Sequence, residues 1–179
     1  MSSRPSAKAK ILNAAALVVD RRGAAHLTID AVAEQAELSK GGVLYHFPNK
    51  RAMLEGMLQH VLLRTQERVA SHRAKIANGE YPTLRSLIMA AQEQDDQERA
   101  MSLAILAAAA ENPTLLDPAR AVIADWFFAV EKEGPFGTLL LLANEGLRFL
   151  DMLNLLPMKN AERANLHASL LDLAEAGRL

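Results

Sequence analysis

The spacing of the apolar residues limits the fold more than any other feature of this sequence. From end to end they recur at i, i+3, i+4 and i+7, which is the repeat of one helix face. No run alternates apolar and polar residues between turn residues, as a half-buried strand would. Pro, Gly and Asn residues divide the 179 residues into about nine segments. The sequence therefore predicts an all-α fold of about nine helices.

Short polar side chains mark several helix starts. Thr28, Ser39 and Asn49 each precede an apolar repeat and can accept a hydrogen bond from an unpaired first-turn N–H. They predict two short helices and then a long one, which we expect to reach residues 78–79. Asp95 marks a later start in the same way, and Pro157 separates the last two helices.

Charge is distributed unevenly along the chain. Its 20 Lys and Arg residues nearly balance its 21 Asp and Glu residues, for a net charge of −1. Residues 1–51 nevertheless hold eight basic and four acidic residues, whereas residues 52–179 hold 12 basic and 17 acidic ones. We therefore predict two domains, a basic one over residues 1–51 and an acidic one over residues 52–179.

Motifs of the common enzyme and cofactor classes do not occur. The sequence has no cysteine, which excludes disulfides, thiolate zinc sites and cysteine nucleophiles. It has no Gly-x-Ser-x-Gly, P-loop or Gly-x-Gly-x-x-Gly sequence, and no Glu-x-x-His for a di-iron bundle. We expect no catalytic activity, no cofactor and no metal.

No apolar run approaches the roughly 18 residues of a membrane span. The apolar stretch at residues 11–19 follows basic residues, as in a signal peptide, but the charged residues 20–22 come where small cleavage-site residues belong. We therefore expect a soluble protein that resides in the cytoplasm.

The densest local signal is the segment TIDAVAEQAELSKGGVLYHFPNK, residues 28–50. Its two short helices are separated only by Glu37-Leu38, a connection that predicts a tight turn between crossing helices. The apolar residues can form one small core. The residues left outside are polar, basic or aromatic, as contact with phosphates and base edges requires: Ser39, Lys40, Gly41, Tyr45, His46 and Lys50. The spacing alone is equally consistent with a small helical corner whose basic face is only solvated.

This segment resembles the helix-turn-helix of TetR-family (tetracycline-repressor-like) transcriptional regulators. The shared features are a helix opened by Thr, then Ser-Lys-Gly, an apolar pair, an aromatic residue, His-Phe, and a Lys that opens the fourth helix. The resemblance is specific over about residues 9–58. It implies backbone contacts from Thr28, Tyr45, His46 and Lys50, and groove-facing positions at Ser39, Lys40 and Gly41. The sequence departs from the common pattern at Gly42, often Thr, and Leu44, often Tyr, which leaves the number of base contacts open.

A dimer interface is predicted in the last two helices. Residues 136–156 are apolar nearly all round, which indicates burial on more than one side. The resemblance implies dimerisation there, and a dimer can span two half-sites about 34 Å apart. The predicted interface residues are Leu139, Leu142, Gly146, Leu150, Leu153, Leu166 and Leu170. The alternative is that these helices only close the core of one chain.

The resemblance also implies a small-molecule pocket among the middle helices. The Ala-rich residues 101–110 and the aromatic residues 126–128 could leave a cavity, although ordinary core packing explains them equally well. The candidate lining residues are Gln92, Met101, Ile105, Trp126, Phe127 and Asn144.

Together these features predict a homodimeric repressor that binds a pseudo-palindromic DNA operator and is released by a small-molecule effector. An effector that shifts the fourth helix would change the spacing of the two DNA-binding heads. The alternative is an all-α interaction or ligand-carrier protein without specific DNA binding.

Overall fold

The computed structural model describes residues 6–76 and 79–177, with the side chain of Asn160 excepted. Over these residues the chain forms nine α-helices and two 3-10 turns, with no strand. The helices are α1 Ala7–Arg22, α2 Ile29–Ala36, α3 Lys40–His46, α4 Lys50–Lys75, α5 Pro82–Gln92, α6 Asp96–Ala109, α7 Asp117–Glu133, α8 Pro135–Met152 and α9 Asn160–Ala176. The predicted all-α fold is confirmed.

The helix starts predicted from short polar side chains are confirmed by hydrogen bonds. Thr28 Oγ1 accepts from the N–H of Ala31 at 3.1 Å. Asn49 Oδ1 accepts from the N–H of Ala52 at 2.8 Å. The hydroxyl of Ser39 does the same for α3 at 3.0 Å. Each bond satisfies a first-turn donor that has no partner within its helix.

Two helices end earlier than predicted. The helix α4 ends at Lys75 rather than at residues 78–79, of which Asn78 lies outside the described residues. The helix α8 ends at Met152 because Asn154 adopts a left-handed conformation, with φ 55°. The N–H of Leu155 then donates to the carbonyl of Leu150 at 2.9 Å, which closes the helix end.

Residues 6–62 and 95–119 form one compact unit. Its core is built from α1, α2, α3, the first half of α4, and α6. Ile11, Val32, Val43 and Met57 are fully buried there. The helix α6 packs against α1, so this unit extends beyond the predicted boundary at residue 51. The predicted division at residue 51, between a helix-turn-helix DNA-binding domain and a ligand-binding and dimerisation domain, stays a prediction.

Residues 63–94 and 120–177 form the second compact unit. Tyr81, Ile88, Val130 and Leu140 are buried in its core, which joins α5, α7, α8 and α9. The carboxylate of Glu133 accepts from the first N–H groups of α5, including that of Thr83 at 2.7 Å. This bond fixes the start of α5 against the end of α7.

Over the described residues, no helix is long and apolar enough to cross a membrane.

Candidate nucleic-acid interface

The turn between α2 and α3 is short because Glu37 adopts a left-handed conformation. Its φ is 53°, and its N–H donates to the end of α2. The N–H of Leu38 donates to the carbonyl of Ala33 at 3.0 Å, which closes the end of α2 three residues before α3 begins at Lys40. Ser39 then caps α3. The predicted tight turn is therefore present, and it packs α3 against α2.

Phe47 joins the end of α3 to α4. Its ring is 3% exposed and lies over Gly56, in the second turn of α4. A Cβ built on Gly56 would come within 2.5 Å of Cε1 of Phe47, so any larger residue there would force the buried ring to move. The sequence reasoning missed this contact. Its one signal was an isolated glycine inside a helical repeat, which often marks close packing.

Most of the predicted DNA-binding residues are exposed on this first unit. Tyr45 is 84% exposed, although it is a large aromatic residue. His46 is half-buried and meets the ring of Tyr45 edge to face, with 5.1 Å between the ring centroids. The other exposed members are Thr28, Ser39, Lys40, Gly41 and Lys50. The hydroxyl of Thr28 already accepts a bond from Ala31, and its proton stays free to donate.

Lys40 is held by a carboxylate of the neighbouring helix. Its Nζ lies 2.9 Å from Oδ1 and 3.0 Å from Oδ2 of Asp30, in the first turn of α2. Both side chains are exposed, so this ion pair is worth about 0–1 kcal/mol. Sequence reasoning named Lys40 and missed Asp30. The pair positions the ammonium group on α3 while lowering the local positive charge.

The two glycines of α3 differ in their surroundings. A Cβ on Gly41 would meet only Ser39 Oγ, at 4.0 Å. A Cβ on Gly42 would lie 3.3 Å from the same oxygen, a tighter fit. Packing inside the chain therefore does not require glycine at position 41. The missing side chain leaves the backbone of α3 open to close approach by a partner.

The predicted interface residues of α8 and α9 lie at the surface of the second unit. Leu139 is 55% exposed and Leu142 is 54% exposed, although both are leucines. Gly146 lies on the same face, and a Cβ there would meet nothing within 4 Å. Leu150, Leu153 and Leu166 are exposed as well, and Leu170 is half-buried. Together these seven residues form what we call the α8–α9 apolar face.

The six predicted pocket residues are divided between the two units. Met101 and Ile105 are buried in the core of the first unit. Trp126 and Phe127 are half-buried against the core of the second unit. Asn144 is fully buried in that unit, and Gln92 is exposed at the end of α5. Met101 and Ile105 therefore behave as core side chains, because α6 packs on α1.

A polar cluster lies where α8 packs against α9. Three of its buried atoms have no hydrogen-bond partner among the described residues: Asn144 Oδ1, Arg148 Nε and His167 Nδ1. Burial lowers the pKa of His167, and the positive charge of Arg148 lowers it further. The imidazole is therefore favoured in its neutral form, which can both donate and accept a hydrogen bond.

Comparison with known proteins identifies the family. The family described as "Bacterial regulatory proteins, tetR family" matches residues 11–57. The family described as "Tetracyclin repressor-like, C-terminal domain" matches residues 82–175, more than half of the chain. The chain belongs to the TetR family.

Curated relatives agree with TetR membership, and solved structures share the fold. The HTH-type transcriptional regulator BetI of Burkholderia thailandensis is 29% identical over 90 residues, which cover 50% of this chain and 46% of that protein. The chain thus spans about half the length of the curated relatives it matches. A transcriptional regulator from Rhodococcus sp. Rha1 shares the fold, with a TM-score of 0.71 at 16% identity over 96% of this chain and 97% of that one. SmeT, solved with triclosan, shares the fold with a TM-score of 0.68 at 20% identity over 97% of this chain and 91% of that one.

Proposed function

We propose that this TetR-family chain is a homodimeric DNA-binding regulator, a repressor that a small-molecule effector releases from its operator. The observation that carries the proposal is the exposed polar and aromatic set on α2, α3 and the start of α4, within the segment that matches the TetR DNA-binding family. Tyr45 is 84% exposed, with its ring against only the half-buried His46, and packing inside the chain does not require glycine at position 41. Contact with DNA would explain both the exposed ring of Tyr45 and the glycine at position 41.

In this proposal the exposed groups divide into two kinds of contact. Thr28, Tyr45, His46 and Lys50 bind the phosphate backbone and so set the position of the head on the duplex. Lys50 stands in the first turn of α4, where the positive end of the helix dipole adds to its charge. Ser39, Lys40 and Gly41 face the major groove. The ion pair between Lys40 and Asp30 is weak enough to open when a base edge or phosphate replaces the carboxylate.

The dimer in this proposal forms through the α8–α9 apolar face. A contiguous patch of exposed leucines on a single chain is typical of a protein–protein interface. Two copies joined by a two-fold axis would present two heads to a pseudo-palindromic operator, with half-sites about 34 Å apart. The exposed Gly146 allows close approach of the two α8 helices. The alternative, that α8 and α9 serve only one chain, leaves these leucines in water.

The effector site in this proposal lies in the second unit, near Trp126, Phe127, Gln92 and Asn144. The buried Asn144 has an unpaired side-chain oxygen, which can orient a ligand. Met101 and Ile105 are buried in the core of the first unit, so this proposed site does not include them. An effector shifts the equilibrium between a DNA-binding conformation and a released one only by its difference in affinity for the two. It must therefore bind the released conformation more tightly. The chain would act in the cytoplasm, as a regulator and not as an enzyme.

Selection of bound fragments from the native genome, followed by anisotropy titration of the enriched sequence, tests the proposal. We expect a pseudo-palindromic motif that the dimer binds at least about a thousandfold more tightly than random DNA, the usual lower range for specific regulators. Equal affinity for enriched and random fragments at every salt concentration would overturn the proposal. It would favour the alternative of an all-α interaction or ligand-carrier protein.

A further inference from the structure

A groove of about 420 Å³ opens on the first compact unit. It is enclosed by the 3-10 turn that follows α1, the first turns of α4 and the end of α6. Every residue that lines it belongs to this unit. The volume is within the range of small-molecule pockets, about 300–1,000 Å³. None of the predicted pocket residues lines it.

The floor of the groove is apolar. Leu27, Leu54 and Leu115 are buried members of the core of the first unit, and each also lines the groove. One wall is formed by Ala104, Ala107 and Ala108 of α6. The short alanine side chains leave the hollow open where larger residues would fill it. A flat or rod-shaped apolar group placed here would lose contact with water on the side that faces the leucines. Its binding would be stabilised in proportion to the apolar area buried.

Positive charge predominates at the α4 side of the groove. Lys50 and Arg51 both line it at the first turn of α4, whose dipole end is positive. Arg51 uses Nε to bind Glu55 at 2.9 Å, and its terminal nitrogens hold further donors. Glu111 is the one carboxylate among the lining residues, and it is exposed beyond the end of α6. Because Arg51 is paired with Glu55, which does not line the groove, Lys50 and the positive end of α4 supply most of the charge that favours an anionic ligand.

We propose that this groove binds small organic acids that combine one carboxylate with an apolar body. The carboxylate lies against Lys50 and Arg51, and the apolar body lies on the three leucines with its edge along the alanines of α6. Glu111 faces the solvent side and disfavours a second negative charge. The site is separate from the effector site proposed near Trp126, which belongs to the second unit. The groove is present in the chain without DNA, so binding of the acid can be measured in the absence of DNA.

An NMR titration of the full-length protein with 2-naphthoate tests the proposal. For a ligand of this size we expect a Kd on the order of 1 mM or tighter. The backbone amide signals of residues 24–27, 50–54 and 104–115 should shift together with one Kd. The neutral 2-naphthalenemethanol should bind about tenfold more weakly, and the cationic 2-naphthylmethylamine more weakly still. Preference for the amine would overturn the assigned charge, and shifts confined to residues 63–94 and 120–177 would overturn the assigned location.

Two alanines near the end of α6 provide matched variants. Ala107→Leu places a side chain in the groove, whereas Ala110→Leu adds the same side chain at a position that does not line it. Both variants should keep the melting temperature of the parent. Ala107→Leu should then abolish 2-naphthoate binding, whereas Ala110→Leu should leave the Kd unchanged. Lys50→Gln changes only an exposed side chain and should weaken binding about tenfold, while Glu111→Gln should strengthen it. Unchanged binding in both Ala107→Leu and Lys50→Gln would overturn the proposal.

Discussion

The ring of Phe47 lies over Gly56 so closely that a Cβ at position 56 would come within 2.5 Å of its Cε1 atom. Phe47 follows the last residue of α3, and Gly56 lies within α4. The contact therefore fixes the end of α3 against α4, the helix that carries Lys50. The separation of the two elements depends on the absence of a side chain at position 56.

Gly56→Ala should destabilise the fold for this reason. The added methyl group forces a buried ring to move, at a cost of about 1–3 kcal/mol. The better helix propensity of alanine offsets about 1 kcal/mol of this. We expect the midpoint of urea unfolding to fall while the m-value stays the same. A higher midpoint would show that Phe47 does not constrain α4.

Gly41→Ala is the matched control, and it carries a prediction of its own. A Cβ at position 41 meets nothing closer than 4.0 Å, so the variant should gain about 0.5–1 kcal/mol of stability from helix propensity. If α3 lies against the wall of the major groove, the same methyl group should weaken operator binding. Unfolding and anisotropy titrations of one preparation measure both effects. A more stable variant with unchanged affinity would place Gly41 away from the DNA.

Asp30→Asn should strengthen DNA binding. The carboxylate holds Lys40 at 2.9 Å, and its removal frees the ammonium group and takes one negative charge from the head. An exposed pair of this kind is worth about 0.2–1 kcal/mol, so we expect affinity to rise by a factor of about 1.5–5. The helix α2 loses an acidic residue from its first turn and should be slightly less stable. In the background of Lys40→Ala the gain should shrink, and a gain of equal size there would mean that Asp30 acts on DNA directly.

Leu150→Glu should produce monomers. The substitution places a charge in the middle of the α8–α9 apolar face, where dimerisation would bury it without a partner. Analytical ultracentrifugation should show a single chain, and operator binding should be lost at concentrations where the parent binds. Ile123→Glu changes another exposed apolar residue, on α7, and should stay dimeric. A dimeric Leu150→Glu protein would mean that the interface lies elsewhere.

Most of the helices could be predicted from local signals in the sequence. Thr28, Ser39 and Asn49 act through hydrogen bonds to residues three positions away, so their caps could be predicted without tertiary structure. The burial of Met101 and Ile105 in the first unit could not, because it depends on α6 returning to pack on α1. The contact of Phe47 with Gly56 and the ion pair of Lys40 with Asp30 cross between helices as well. Contacts of this kind have no fixed spacing in the sequence.

The salt dependence of operator binding tests the central claim most directly. Each neutralised phosphate contributes about −0.9 to the slope of log K against log salt, so loss of Lys50 from both copies of a dimer should reduce the slope by about two. Anisotropy titrations of the parent, Lys50→Ala and the control Lys132→Ala, an exposed lysine on α7, would measure it. We predict a steep slope for the parent and for Lys132→Ala, and a shallower one for Lys50→Ala. Equal slopes for all three proteins would contradict a DNA-binding head at the start of α4.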